Sequence, residues 1–301
     1  MSGSTVQKAI TSGQGVLLPE STRKLRKERR VTVAVNSRDR NFGNSQPPSD
    51  YRWVFPRPLK DVVSVELVNG LVPADLYNVA TPWGSFTFVE DPPTRAWNVT
   101  LTPGQYTPAD LAVELQARLN ALIGKINTYA VGYSDITKRF TITATAGAAT
   151  FGFFFASGTY KDDYDSHTGA LMSINCPARL LGFDGWIDYR SAGGALVAPY
   201  RADPDFCLKR LYLHINADNS IELNRVELGA GRKDCFHVLF LDTKEGYYSL
   251  NKEMHTPIYY ASPAPIARIA TLNISLRDEF YRVVDLSNHD YTLMFEITYL
   301  D

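Results

Sequence analysis

Five histidines (His167, His214, His237, His255, His289), three cysteines (Cys176, Cys207, Cys235) and a carboxylate triplet (Asp162, Asp163, Asp165) are the groups best equipped for chemistry. The histidines are scattered, and none stands at metal-ligand spacing from another. His214 and His237 fall inside apolar runs, where a hydrogen-bonded structural histidine is the reading. The cysteines are too far apart for a zinc knuckle and odd in number, which fits buried free thiols in a reducing compartment. Clustered carboxylates on a loop are hard-cation ligands. The triplet, however, lacks the turn glycine and closing glutamate of a calcium loop and reads as a solvated surface. Gly229-Ala230-Gly231-Arg232-Lys233 has neither the spacing nor the Ser/Thr of a phosphate-binding loop. No Gly-x-Ser-x-Gly elbow occurs, and no acid, base and nucleophile set is visible. The chain is read as a non-enzyme with no cofactor and no metal.

Charge is the next signal. Residues 1–30 carry seven Lys/Arg against two Glu, a net of +5, so the formal charge of −1 leaves −6 on the rest. A basic arm on a mildly acidic body predicts an anionic partner for the arm. Its cations are concentrated in Arg23, Lys24, Arg26, Lys27, Arg29 and Arg30. No aromatic residue interleaves them, so base stacking is not indicated, and a protein or anionic surface is favoured over sequence-specific nucleic acid. Extended, such an arm reaches on the order of 100 Å, well beyond a body whose radius of gyration is roughly 19 Å.

The elements that would carry these groups are mostly strands. The chain holds 17 Tyr, 15 Phe, 17 Pro and 20 Gly; aromatic residues suit pleated surfaces, and Pro and Gly punctuate short strands. Val31–Asn41, Tyr51–Phe55 and Asp61–Leu71 read as strands, the last two joined through Pro56 and Pro58, with Val63, Val65, Leu67 and Asn69 on one side of the last. Further strands are expected at 85–90, 97–102, 129–133, 140–145, 151–155, 207–215, 235–241, 269–276 and 291–300. One helix is expected near 108–123. Thr107 would cap it, Pro108 opens it, and Leu111, Leu115, Leu119 and Leu122 form its apolar stripe. No shift in composition divides residues 31–301, which read as one all-β, antiparallel β-sandwich behind the arm of residues 1–30. The longest apolar runs are too short to span a bilayer. Trp83, Trp97, Trp186 and Tyr189 are the aromatics a glycan-recognising sandwich would expose.

Several segments, taken in order, resemble a family of virion proteins of nucleocytoplasmic large DNA viruses of algae and protists. These are Val35-Asn36-Ser37-Arg38-Asp39-Arg40-Asn41, Tyr51 to Leu59, and Lys60 to Leu67 with Pro73. Pro103-Gly104-Gln105-Tyr106-Thr107, Leu180-Leu181-Gly182-Phe183, Leu272 to Asp278 (closing on Arg277-Asp278) and Asp290 to Ile297 continue the match over roughly residues 31–301. One departure is Glu279-Phe280-Tyr281, where a glycine is expected in the turn. The resemblance implies a jelly-roll capsid domain in the virion, made in the host cytoplasm. Its expected role is the penton, a homo-oligomer (pentamer) closing the five-fold vertices. The alternative is a minor capsid protein on the inner face of the shell, bridging capsomers. The partners it implies are the major capsid protein and other minor capsid proteins, with the inner membrane or another anionic surface open to the arm. It carries over no catalytic residue. Ser37, Arg38, Asp39, Arg40, Pro73, Gly104, Tyr106, Gly182, Arg277 and Asp278 are its structural motif positions.

Overall fold

The computed structural model describes residues 26–40, 46–80, 83–92, 94–160, 176–204, 208–228, 234–241, 246–250, 258–261, 264–278 and 280–301. The longest element is a single strand, β2 (Asp50–Pro73), where two strands joined through prolines were expected. The prolines are tolerated because the pairing skips them. Along β15 (Ile266–Arg277), Thr271 pairs with Val54 and Ile269 with Leu59, so one residue faces the four from Phe55 to Pro58. A proline has no N–H to give a ladder, and a bulge asks for none. The backbone N–H of Ala270, opposite this bulge, donates instead to the Asp218 carboxylate at 3.0 Å.

Strict alternation was expected from Val63 to Asn69, and two further bulges change it. Pairing with β16 (Thr292–Leu300) slips between Ser64 and Val62 and again between Leu67 and Asn69. Val63 and Val68 are the extra residues. The buried set on this half is Val62, Ser64, Val65, Leu67, Gly70, Val72 and Pro73 rather than the 63/65/67/69 series. Gly70 leaves room there: a Cβ would lie 2.9 Å from the terminal methyls of Leu250 and Leu293, and both would have to shift.

β2 runs from one layer into the next, so its two halves serve different layers of one continuous nine-stranded sheet. The second half pairs with β16, which pairs with β1 (Glu28–Asn36), and its other edge takes β14 (Ile258–Tyr260) and β13 (Tyr247–Leu250). The first half pairs with β15, which pairs with β10 (Arg210–Ala217), whose far edge takes β11 (Ile221–Glu222) and β12 (His237–Phe240). Counting the halves of β2 separately, β11 with β12 and β13 with β14, the first strand pairs the eighth, the eighth the third and the third the sixth in one layer. In the other layer the second pairs the seventh, the seventh the fourth and the fourth the fifth. That order is a jelly roll. Between the layers lie Tyr51, Trp53, Phe55, Val65, Leu213, Ile215, Leu272, Ile274, Leu293 and Phe295.

Segment 79–202, which composition does not set apart, packs an apolar cluster of its own between the third and fourth jelly-roll strands. A sheet of β3 (Ser85–Asp91), β4 (Arg95–Thr100), β7 (Thr150–Phe154) and β8 (Asp188–Arg190) faces a hairpin of β5 (Thr128–Ser134) and β6 (Arg139–Ala146) extended by β9 (Ala195–Val197). The expected helix is α1 (Pro108–Asn120). Its Thr107 side chain accepts from Asp110 N, and Leu111, Leu115 and Leu119 face the cluster. At the centre Phe88 meets Tyr129 and Phe153 edge to face at 5.2 and 5.5 Å, a geometry aromatic quadrupoles favour.

Candidate functional site

The groups equipped for chemistry do not converge. Among the described residues no three His, Cys, Asp or Glu stand together as a metal site. Cys176 and Cys235 are buried, and burial pushes the Cys235 thiol up to about 12, with the Asp234 charge adding to it. His214 is buried with its ring edge-on to Tyr281 at 5.0 Å. The fully enclosed carboxylate of Glu90 accepts from the backbone N–H groups of Ile126 and Asn127 at 2.6 and 3.0 Å and from the Tyr129 hydroxyl. Three donors satisfy it without a cation, and no face of it meets solvent. Asp162, Asp163, Asp165, His167, Cys207, residues 229–233 and His255 lie outside the described residues.

What does converge are most of the residues that carry the resemblance, Gly182 excepted, and they converge on the joints of the fold. Ser37–Asp39 forms a single 3-10 turn after β1, capped by the Asn36 side chain. It brings Arg40 back into the body, where the residue is buried. The Arg40 guanidinium donates to Ser37 O at 2.8 Å, Gln46 O at 3.1 Å, Asn288 Oδ1 at 3.0 Å and Asp290 Oδ1 at 2.5 Å. Ser37 Oγ also donates to Asp290, and Arg38 reaches it at 3.5 Å from an exposed position. Burial alone would raise the Asp290 carboxyl, but the Ser37 and Arg40 hydrogen bonds and the Arg40 charge hold it below its ordinary value. The connection leaving β1 is thereby bolted to the connection entering β16. Asp39 sits exposed in the same turn.

A second joint marks the passage into segment 79–202. Gly104 and Val79 exchange both backbone hydrogen bonds, at 2.9 and 3.0 Å. The Asn78 side chain donates to Tyr106 O and accepts from Tyr106 N, each at 2.8 Å. Gly104 is needed because a Cβ would lie 3.0 Å from the Tyr106 ring. Pro73 closes β2 opposite Tyr247.

The third joint follows β15. The buried Asp278 carboxylate accepts from Phe280 N and Arg282 N at 2.9 Å and from the Arg282 side chain at 2.7 Å. That guanidinium lies 4.3 Å from the Trp83 ring centre, so the jelly roll grips the start of the inserted segment through a cation–π contact. Arg277 in turn covers the Tyr281 ring at 4.2 Å and donates to Tyr281 O at 2.8 Å. The turn expected to hold a glycine does have a left-handed residue, Tyr281 (φ 63°), held by these contacts. Sequence reasoning singled out Arg40, Tyr106 and Asp278 but missed their partners Asp290, Asn78 and Arg282. Nothing in the local pattern marks residues far apart in the chain as pairs.

The basic run divides. Arg23 and Lys24 lie outside the described residues, while β1 begins at Glu28 and takes Arg29 and Arg30 into the sheet. Arg26 pairs with Asp61 at 2.7 Å, Arg29 with the Asp301 carboxylate and Arg30 with Glu296 at 2.9 Å; all three arginines are exposed. Lys27 is exposed and its carbonyl accepts from Asp301 N. Exposed pairs of this kind contribute at most about 1 kcal/mol each. Of the four aromatics considered for glycans, Trp83 is buried, Trp97 donates through Nε1 to Ile123 O and Tyr189 packs on Phe183. Trp186 is 42 % exposed.

A family model described as a family of unknown function (DUF5901) matches residues 20–158. None of the curated proteins matches the chain. Among solved structures, the mavirus penton protein is 10 % identical with a TM-score of 0.41, the match covering 91 % of this chain and 100 % of that one. A chain from the cryo-EM structure of the Sputnik virophage is 9 % identical with a TM-score of 0.38, covering 90 % of this chain and 98 % of that one.

Proposed function

We propose that this chain is a structural protein of the virion of a large icosahedral double-stranded DNA virus, and that it acts as the penton, closing the five-fold vertices as a ring of copies. The observation that carries this reading is the use made of the motif residues. In a chain with jelly-roll strand order they are spent on joints, with Arg40 fully hydrogen-bonded to the body and Asp278 locked to Arg282. A protein whose distinguishing residues stiffen a β-body is built to hold shape under load rather than to turn over a substrate. The fold alone would leave the function open, since jelly rolls also serve lectins and cupins; the ordered sequence resemblance is what selects the capsid. The arm of residues 1–30 is assigned to contacts with neighbouring capsid proteins or an anionic surface.

Mass photometry of the purified full chain tests this. A closed five-fold species is expected, and removal of residues 1–25 should weaken its assembly while leaving the melting temperature unchanged. A truncated chain that assembles as well as the full one would remove the arm from the account. A chain that stays monomeric or dimeric would move it to the inner face of the shell.

A further inference from the structure

The Leu180-Leu181-Gly182-Phe183 motif braces no joint of the jelly roll. It floors a crevice of about 310 Å³ on the inserted segment, lined by Arg179, Asp184, Tyr200, Arg201 and Asp203 with the Gly182 and Phe183 backbone. The crevice is preformed. The Arg179–Leu181 turn closes on Gly182 in the left-handed region (φ 80°), Leu180, Leu181 and Phe183 are buried beneath it, and Tyr200 N donates to Gly182 O at 3.0 Å. Asp203 N donates to Arg179 O at 3.1 Å, and a Cβ on Gly182 would lie 2.5 Å from Tyr200 O. Two chain segments thus meet too closely to admit any other residue, and their side chains project around the gap.

The lining mixes both signs in a pattern that narrows the ligand. The Asp203 carboxylate is already held by Lys209 at 2.7 Å, and Asp184 accepts from Trp186 N at 3.3 Å. Arg201 is exposed and, among the described residues, has no carboxylate partner. A free guanidinium fork matches a carboxylate bidentately. The two aspartates keep lone pairs that accept hydroxyl protons, and they would repel a compact, doubly charged anion such as inorganic phosphate. Tyr200, 54 % exposed, offers a flat apolar face. The volume lies at the small end of ligand sites and has room for a monosaccharide or disaccharide.

We propose that this crevice binds an acidic saccharide, the ring carboxylate on Arg201, hydroxyls on Asp184 and Asp203 and the C–H face of the ring on Tyr200. This would give the chain a carbohydrate-recognition role in addition to a shell role, and it does not depend on that shell role being right. Titration calorimetry and saturation-transfer NMR on the full chain test it, with 3′-sialyllactose and a glucuronate-containing hyaluronan tetrasaccharide as probes and lactose as the neutral control. At least one acidic probe should bind and lactose should not. Arg201→Ala and Tyr200→Ala, both at exposed positions, should each weaken binding at least tenfold with the melting temperature unchanged. Failure of both acidic probes to bind, equal binding of lactose, or unchanged affinity in Arg201→Ala would overturn the proposal.

Discussion

Asp290 concentrates the cost of this design in one side chain. It neutralises Arg40, whose side chain is only 4 % exposed, while itself reaching solvent at 23 %. Replacing one partner of such a pair leaves the other buried and uncompensated, which typically costs about 3 kcal/mol or more. Asp290→Asn keeps the shape and removes the charge, so a loss of about 3 kcal/mol in denaturant unfolding is expected. Arg38→Ala, whose side chain is 76 % exposed at 3.5 Å, should cost far less. Because the folded carboxyl is held below its ordinary value, its contribution is complete above that value and is lost as pH falls through the depressed one. The wild type should therefore show an acid-induced drop in melting temperature that Asp290→Asn largely lacks. If the variant and wild type unfold alike in denaturant, the joint contributes nothing.

At the scale of elements, much of the fold was legible because local rules govern it. The helix followed from Thr107, Pro108 and its leucine stripe, and the β5–β6 hairpin from its two alternating runs. What was not legible came from tertiary pairing. Pro56 and Pro58 looked like a strand break, and only the four-against-one bulge opposite Ala270 lets β2 run through them. Val63 and Val68 have nothing in their type to mark them as bulge residues; the register against β16 decides it. The tyrosine in the left-handed turn after β15 belongs to the same class, since propensity asks for glycine and packing under Arg277 overrides it. The joints themselves were half legible: Arg40 and Asp278 stood out, and the residues they seize did not. A specific consequence concerns that turn. Tyr281→Ala keeps the left-handed strain and loses the ring, whereas Tyr281→Gly loses the ring and releases the strain. The glycine variant should therefore be the more stable of the two by about 1 kcal/mol, both lying below wild type. Equal stabilities would mean that the turn relaxes out of the left-handed region once the ring is gone.

For the molecule as a whole, two apolar clusters are tied by short bolts rather than by a shared core, one built from residues of both jelly-roll layers and one from segment 79–202. The Arg282–Trp83 contact and the Asn78–Tyr106 exchange are the ties visible between them. Such a body presents a stiff wall through the jelly roll and a separate platform through the inserted segment, where the Arg201 crevice lies. The basic run ends in β1, tied by three exposed ion pairs to Asp61 of β2, Glu296 of β16 and Asp301. The proposed function turns on this body being a component of a shell. An icosahedral reconstruction of the virus particle that encodes it tests that most directly. The account predicts density at the five-fold vertices that fits the eight-strand body, five copies to a ring. A shell whose vertices and inner face are both complete without this chain would contradict it.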